Sequence, residues 1–120
     1  MKKKILIIDD EQDIVVATKM LLEKHGYEVL TAEFGEVLLV WLRKNMPDLI
    51  LLDLLLPKMR GEDVCKKIKS DVSTRNIPII LFTASASDLS LVAKDVGADD
   101  YVMKPYETEE LVQKIKNIIG

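Results

Sequence analysis

The sequence predicts an α/β protein, a parallel sheet with helices on both faces. Short apolar runs such as Ile5-Leu6-Ile7-Ile8 and Leu49-Ile50-Leu51-Leu52 recur along the chain. Runs this short and this apolar suit strands buried on both faces of a parallel sheet. Stretches whose apolar residues keep a helical spacing separate them, so strand and helix alternate and the crossovers are right-handed. Several runs also end in a polar residue, Asp9, Asp53 or Thr83. That places hydrophilic groups at the carboxyl edge of the sheet, where ligands of open α/β sheets bind.

The first strand is expected over residues 5–8, ending in Asp9-Asp10, and the first helix over 11–24. Ile14, Thr18, Leu21 and Leu22 form its inward stripe, and Gly26 suits the left-handed position past its end. Tyr27-Glu28-Val29-Leu30-Thr31 alternates in polarity, as a second strand nearer the sheet edge would. The second helix is expected over 35–45, stopping before Pro47. Its run Val37-Leu38-Leu39-Val40-Trp41-Leu42 holds more apolar residues than one buried stripe needs. Either one or two of them are simply exposed, or part of this face, Trp41 included, meets a partner or a second copy.

The third strand runs over 49–53 and the third helix over 62–70, with Val64, Cys65 and Ile68 inward. The fourth strand is expected over 77–82, with Pro78 near its start where a missing N–H is tolerated. It delivers Thr83-Ala84-Ser85. A helix over 89–96 stops at Gly97, a fifth strand over 101–103 ends in Lys104-Pro105, and the last helix covers 108–119. Leu111, Val112, Ile115, Ile118 and Ile119 make its apolar stripe, and Thr108 is its expected cap.

At 120 residues, 48% hydrophobic and 31% charged, the chain fits one domain, 1–120, with a core of its own. A net charge of −3, with Lys2-Lys3-Lys4 the only basic run, argues against direct binding of nucleic acid. No apolar segment reaches the ~18 residues of a membrane span, and the N-terminus lacks a signal-peptide core. Cys65 is the only cysteine, so no internal disulfide can form and a cytoplasmic location is expected. His25, the only histidine, excludes a histidine-rich metal cluster and reads as a helix C-terminal residue.

The strand ends carry the chemistry. Asp9, Asp10, Asp53, Thr83 and Lys104 all fall at one edge of a parallel sheet. Taken singly, each has a plain reading as a cap, a loop residue or a solvated lysine. Gathered, carboxylates ~4 Å apart repel by about 4 kcal/mol per pair at an effective dielectric near 20. Lys104 supplies one counter-charge, and Mg²⁺, which takes carboxylate oxygens and phosphate together, would supply two more. A carboxylate, a lysine, a hydroxyl and that cation make a phosphoryl-transfer site with the carboxylate as nucleophile.

The motifs Ile8-Asp9-Asp10-Glu11, Asp48-Leu49-Ile50-Leu51-Leu52-Asp53-Leu54, Pro57-x-Met59-x-Gly61, Phe82-Thr83-Ala84, Gly97-Ala98-Asp99-Asp100-Tyr101 and Lys104-Pro105 resemble those of response-regulator receiver domains of two-component signalling, over nearly the whole chain. The resemblance implies the flavodoxin-like strand order 2-1-3-4-5. It implies that Asp53 takes a phosphoryl group from a sensor histidine kinase or a histidine phosphotransfer protein. Mg²⁺ would be ligated by Asp10, Asp53 and the backbone carbonyl of Leu55, with Asp9 acting through water. Lys104 and Thr83 would contact the phosphoryl oxygens, and Tyr101 would change rotamer as Thr83 moves. Those shifts would remodel the surface of the fourth helix, fifth strand and fifth helix for an unspecified downstream effector. Asp99-Asp100-Tyr101 resembles the segment of receivers that form a homodimer through this face, although no matching basic partners stand out on those helices beyond Lys94 and Lys114. On this view the chain is not an enzyme but catalyses only its own phosphorylation and dephosphorylation.

Arg60 and Phe34 depart from the family pattern without touching the chemistry. Leu55 and Ser85 stand where family members tune hydrolysis of the acyl phosphate. Leu55 has no polar group to position water, so slow autodephosphorylation is expected. A haloacid-dehalogenase-type phosphatase is the nearest enzyme alternative, but it needs an acid two residues after the nucleophile, where Leu55 stands. No G-x-x-x-x-G-K-[ST] or G-x-G-x-x-G loop supports a nucleotide-binding fold. A degenerate receiver acting only as an interaction module would fit a sequence lacking an acid or the lysine, and this one lacks neither.

Overall fold

The computed structural model describes residues 2–32, 38–57, 59–84 and 88–120. Ten elements alternate: β1 (Lys4–Ile8), α1 (Gln12–Lys24), β2 (Glu28–Thr31), α2 (Leu38–Asn45), β3 (Leu49–Leu52), α3 (Gly61–Ser70), β4 (Ile79–Thr83), α4 (Leu89–Val96), β5 (Asp100–Met103) and α5 (Thr108–Ile119). The five strands pair in parallel in the order β2-β1-β3-β4-β5, as expected. Side chains alternate across the strands and split the core in two. Leu6, Ile8, Ile50, Leu52, Ile79 and Leu81 face α2, α3 and α4. Ile5, Ile7, Leu49, Leu51, Ile80 and Phe82 face α1 and α5. All four residues of β3 are fully buried, which explains why its sequence shows no polar alternation.

The helices match their expected spans closely, with instructive differences. On α1 the buried residues are Val15, Thr18 and Leu22, while Ile14 and Leu21 are only partly covered. Gly26 takes φ +92° past its end, and His25 Nδ1 lies 3.0 Å from the Leu21 carbonyl. On α2, Leu38 and Leu42 are buried, Leu39 and Trp41 are partly buried against the core, and Val40 is exposed. Over 38–42 the run thus leaves Val40 as its exposed residue, while Trp41 packs against the core. The expected first turn at 35–37 lies outside the described residues. Just past α2, Met46 takes φ +41° and its N–H donates to the Leu42 carbonyl (2.8 Å), turning the chain toward Pro47.

Two expectations are corrected. β4 begins at Ile79, not Ile77. Pro78 has no N–H for the ladder and joins the sheet only through its carbonyl, which accepts from Ile50 N at 2.9 Å. Thr108 is not the cap of α5. Glu107 holds that position with no side-chain capping bond, and Thr108 is already the first helical residue. By contrast, Asp88 caps α4 with its side chain on Leu91 N, and Gly97 closes it at φ +79°.

Candidate functional site

Asp53 stands just past β3, its N–H donating to the Ile8 carbonyl at 3.0 Å, so the backbone that presents it is still tied to the sheet. The next turn is held by Gly61, whose N–H donates to the Leu54 carbonyl at 3.0 Å. A Cβ on Gly61 would lie 2.4 Å from the Asp53 carbonyl oxygen and 2.5 Å from Leu54 Cα. Only glycine permits this approach, which explains the Gly of the Pro57-x-Met59-x-Gly61 motif. Lys104 is placed equivalently from β5, its N–H donating to the Thr83 carbonyl at 3.0 Å.

The side chains converge on Lys104. Its Nζ donates to Asp9 Oδ2 at 2.6 Å, Asp53 Oδ2 at 3.1 Å and Glu11 Oε1 at 3.2 Å. It also sits 4.7 Å above the Phe82 ring, a cation–π contact. The Lys104, Asp9 and Asp53 side chains are 5%, 0% and 2% exposed. Losing one partner of such a buried pair leaves an uncompensated charge. Asp9 Oδ1 also accepts from Glu11 N at 2.9 Å, and Asp53 Oδ1 from Leu55 N at 3.1 Å.

Burial pushes the Asp9 carboxyl above the usual carboxylate range, against the opposing bonds from Lys104 and Glu11 N. Burial also works to lower Lys104, but its bonds to Asp9 and Asp53 outweigh that and raise it. One ammonium serves Asp9, Glu11 and Asp53, while Asp10 adds a further carboxylate alongside, so the cluster carries more negative than positive charge. Carboxylate oxygens of Asp9, Asp10 and Asp53 lie within 4.8 Å of one another. A hard oxygen donor set with unbalanced negative charge fits a small divalent cation.

The structure thus gathers four of the expected residues, Asp9, Asp10, Asp53 and Lys104. Thr83 is buried at the end of β4, beside Met103 in register. Tyr101 lies on β5 opposite Leu81, 36% exposed, with Lys114 Nζ 4.8 Å over its ring. Leu55 is exposed beside the acids, and Ser85 lies outside the described residues. Sequence reasoning missed Glu11 as a partner of Lys104, Gly61 as a wall against the Asp53 backbone, and Phe82 as the surface beneath the ammonium. Adjacency to Asp9-Asp10 was the one available signal for Glu11. Contacts of Gly61 and Phe82 with residues far along the chain leave no local pattern.

The response regulator receiver domain family model matches residues 5–116. The alkaline phosphatase synthesis transcriptional regulatory protein PhoP of Bacillus subtilis is 40% identical over 120 residues, 99% of this chain and 49% of PhoP. The chain therefore spans about half the length of that relative. Among solved structures, the chemotaxis protein CheY4 of Vibrio cholerae superposes with a TM-score of 0.87 at 28% identity, covering 98% of this chain and 99% of CheY4. The receiver domain of the sensor histidine kinase PA1611 from Pseudomonas aeruginosa gives 0.88 at 26% identity, covering 100% and 99%, and holds a magnesium ion coordinated in its active-site cleft. Fold, acid cluster and relatives agree: the chain belongs to the response-regulator receiver domain family of two-component signal transduction.

Proposed function

We propose that residues 1–120 form one receiver unit in which Asp53 accepts a phosphoryl group from a phosphohistidine of a sensor histidine kinase or phosphotransfer protein. The observation that carries this reading is the buried Lys104 ammonium bridging Asp9 and Asp53. An Asp53 carboxylate oxygen attacks phosphorus in line. The oxygen–phosphorus bond forms as the phosphorus–nitrogen bond breaks, and the electron pair stays on the imidazole, which takes up a proton. Lys104, already aimed at Asp53 Oδ2, donates to a phosphoryl oxygen, and the Thr83 hydroxyl donates to another. Asp10, Asp53 and the Leu55 carbonyl would hold Mg²⁺, with Asp9 through water; when bound it supplies positive charge to the carboxylates and the phosphoryl oxygens. The chain turns over no substrate and catalyses only its own phosphorylation and dephosphorylation.

The output is a shift between two packings of α4, β5 and α5. Thr83 and Tyr101 sit on neighbouring strands at the rim of that face, and Tyr101 is exposed enough to turn inward. A downstream protein or a second copy reads the new surface. No described helix is long and apolar enough to cross a membrane.

Incubation with acetyl phosphate and Mg²⁺, read by intact mass, tests the reading. Wild type gains one phosphoryl group, and Asp53→Ala gains none. Equal incorporation in the two proteins, or none in wild type, overturns it.

A further inference from the structure

Thr18 is the buried polar residue on the inward face of α1, fully covered between Val15 and Leu22. A buried hydroxyl needs a partner. Its partner is remote in sequence: Thr18 Oγ1 and Tyr106 Oη are 2.6 Å apart, across 88 positions. Tyr106 lies two residues after Lys104. Its ring stands 6.4 Å from that of Phe82, tilted by 45°, and Phe82 also carries the Lys104 ammonium 4.7 Å from its ring centre. The segment 104–106 is therefore fixed at both ends, by Lys104 N on the Thr83 carbonyl and by Tyr106 Oη on α1.

The bond joins two segments that hold opposite charges of the site. α1 follows directly on Asp9, Asp10 and Glu11, and the loop after β5 carries Lys104. The spacing between them sets where the ammonium lies relative to Asp9 and Asp53. Resting on the phosphoacceptor reading above, we propose that Thr18 and Tyr106 are positioning residues for Lys104, acting through one buried hydrogen bond that locks the lysine loop onto α1. Neither touches the reacting atoms. Their contribution is preorganisation: a lysine held in place spends its donors on a phosphoryl oxygen without first being ordered.

The test compares Thr18→Val, Tyr106→Phe, their double variant and Thr18→Ser, with Tyr27→Phe as control. Tyr27 loses a hydroxyl bond to the Gly120 carbonyl (3.2 Å), at the opposite edge of the sheet. The readout is the rate of phosphoryl incorporation from acetyl phosphate at saturating Mg²⁺, beside thermal melting. Each hydroxyl deletion is expected to slow incorporation by about fivefold or more, and the double variant no further, because one bond is lost in all three. Thr18→Ser restores the rate and Tyr27→Phe leaves it unchanged, whatever their melting temperatures. Folded deletion variants that react at the wild-type rate overturn the inference, as does a Thr18→Ser as slow as Thr18→Val, or a control slowed equally. If wild type itself takes up no phosphoryl group, the phosphoacceptor reading falls and this inference with it. If wild type reacts and the variants match it, only this inference falls.

Discussion

Asp53 is held from three sides by groups that each restrict it differently. The Ile8 carbonyl fixes its backbone, Leu55 N fixes Oδ1, and Lys104 fixes Oδ2. Gly61 closes the remaining side, with backbone rather than a yielding side-chain tip as its neighbour. Gly61→Ala therefore must move the Asp53–Leu54 backbone, at a cost on the order of 2–3 kcal/mol. We expect a lower melting temperature together with loss of phosphoryl uptake, and a variant that keeps wild-type uptake would show that this wall is dispensable. Leu55, exposed next to the acids, is on the proposed reading the residue that sets the lifetime of the phosphoryl group. Leu55→Asn places an amide where it can orient water and is expected to speed loss of phosphate about threefold or more; decay at the wild-type rate in a pulse-chase by intact mass counts against it. The strand-end acids and Lys104 were legible in the sequence because topology alone gathers them. Glu11 and Phe82 were not, since their parts depend on where one lysine tip comes to rest.

Two polar clusters fasten the elements at the far side of the sheet. Lys69 Nζ donates to the Ile77 carbonyl at 2.8 Å and to Asp99 Oδ2 at 2.9 Å, and the same Asp99 oxygen accepts from Ile79 N at 2.8 Å. This ties the end of α3 to the start of β4 and the turn before β5. Arg43 from α2 reaches Asp71 and Ser73 after α3. The Ser73 hydroxyl and N–H, with Arg43, hold the Asp71 carboxyl down at about 2 from its ordinary 3.8. A carboxyl depressed on folding stabilises the fold above its unfolded value and loses that contribution as pH falls through the folded one. The urea midpoint of wild type should therefore exceed that of Asp71→Asn at pH 5, and the gap should close between about pH 4 and pH 2. A gap that persists unchanged at pH 2 would assign the difference to packing. Helix and strand identity were readable throughout from apolar spacing. The ends were less so: Thr108 had the right chemistry for a cap, yet the helix starts one residue earlier than a capping role would need. Pro78 likewise enters the sheet by its carbonyl alone, which residue type does not reveal.

Across the whole molecule, one sheet separates two cores, and the proposed output surface draws on both: α5 packs on the core it shares with α1, and α4 on the layer it shares with α2 and α3. The sequence made this arrangement readable because β3 and β4 are apolar on both sides, which only a doubly covered sheet can use. It could not show which helix pairs share a core, because apolar stripes on helices do not carry the name of their partner. Cys65 sits in that layer, fully buried, its Sγ 3.6 Å from the Val96 carbonyl, and burial pushes its thiol up to about 11. Alkylating reagents need the thiolate in contact with solvent, so at pH 8 the closed molecule is refractory. Reaction occurs only during excursions in which α3 parts from α4. We expect labelling of the native protein at least about a hundredfold slower than in urea; comparable rates would mean that this layer is open in the native state. The lone thiol is thus a clock built into the layer between α3 and α4. Comparing its tick before and after phosphoryl uptake would measure how far the proposed chemistry at the rim loosens or tightens α3 against α4.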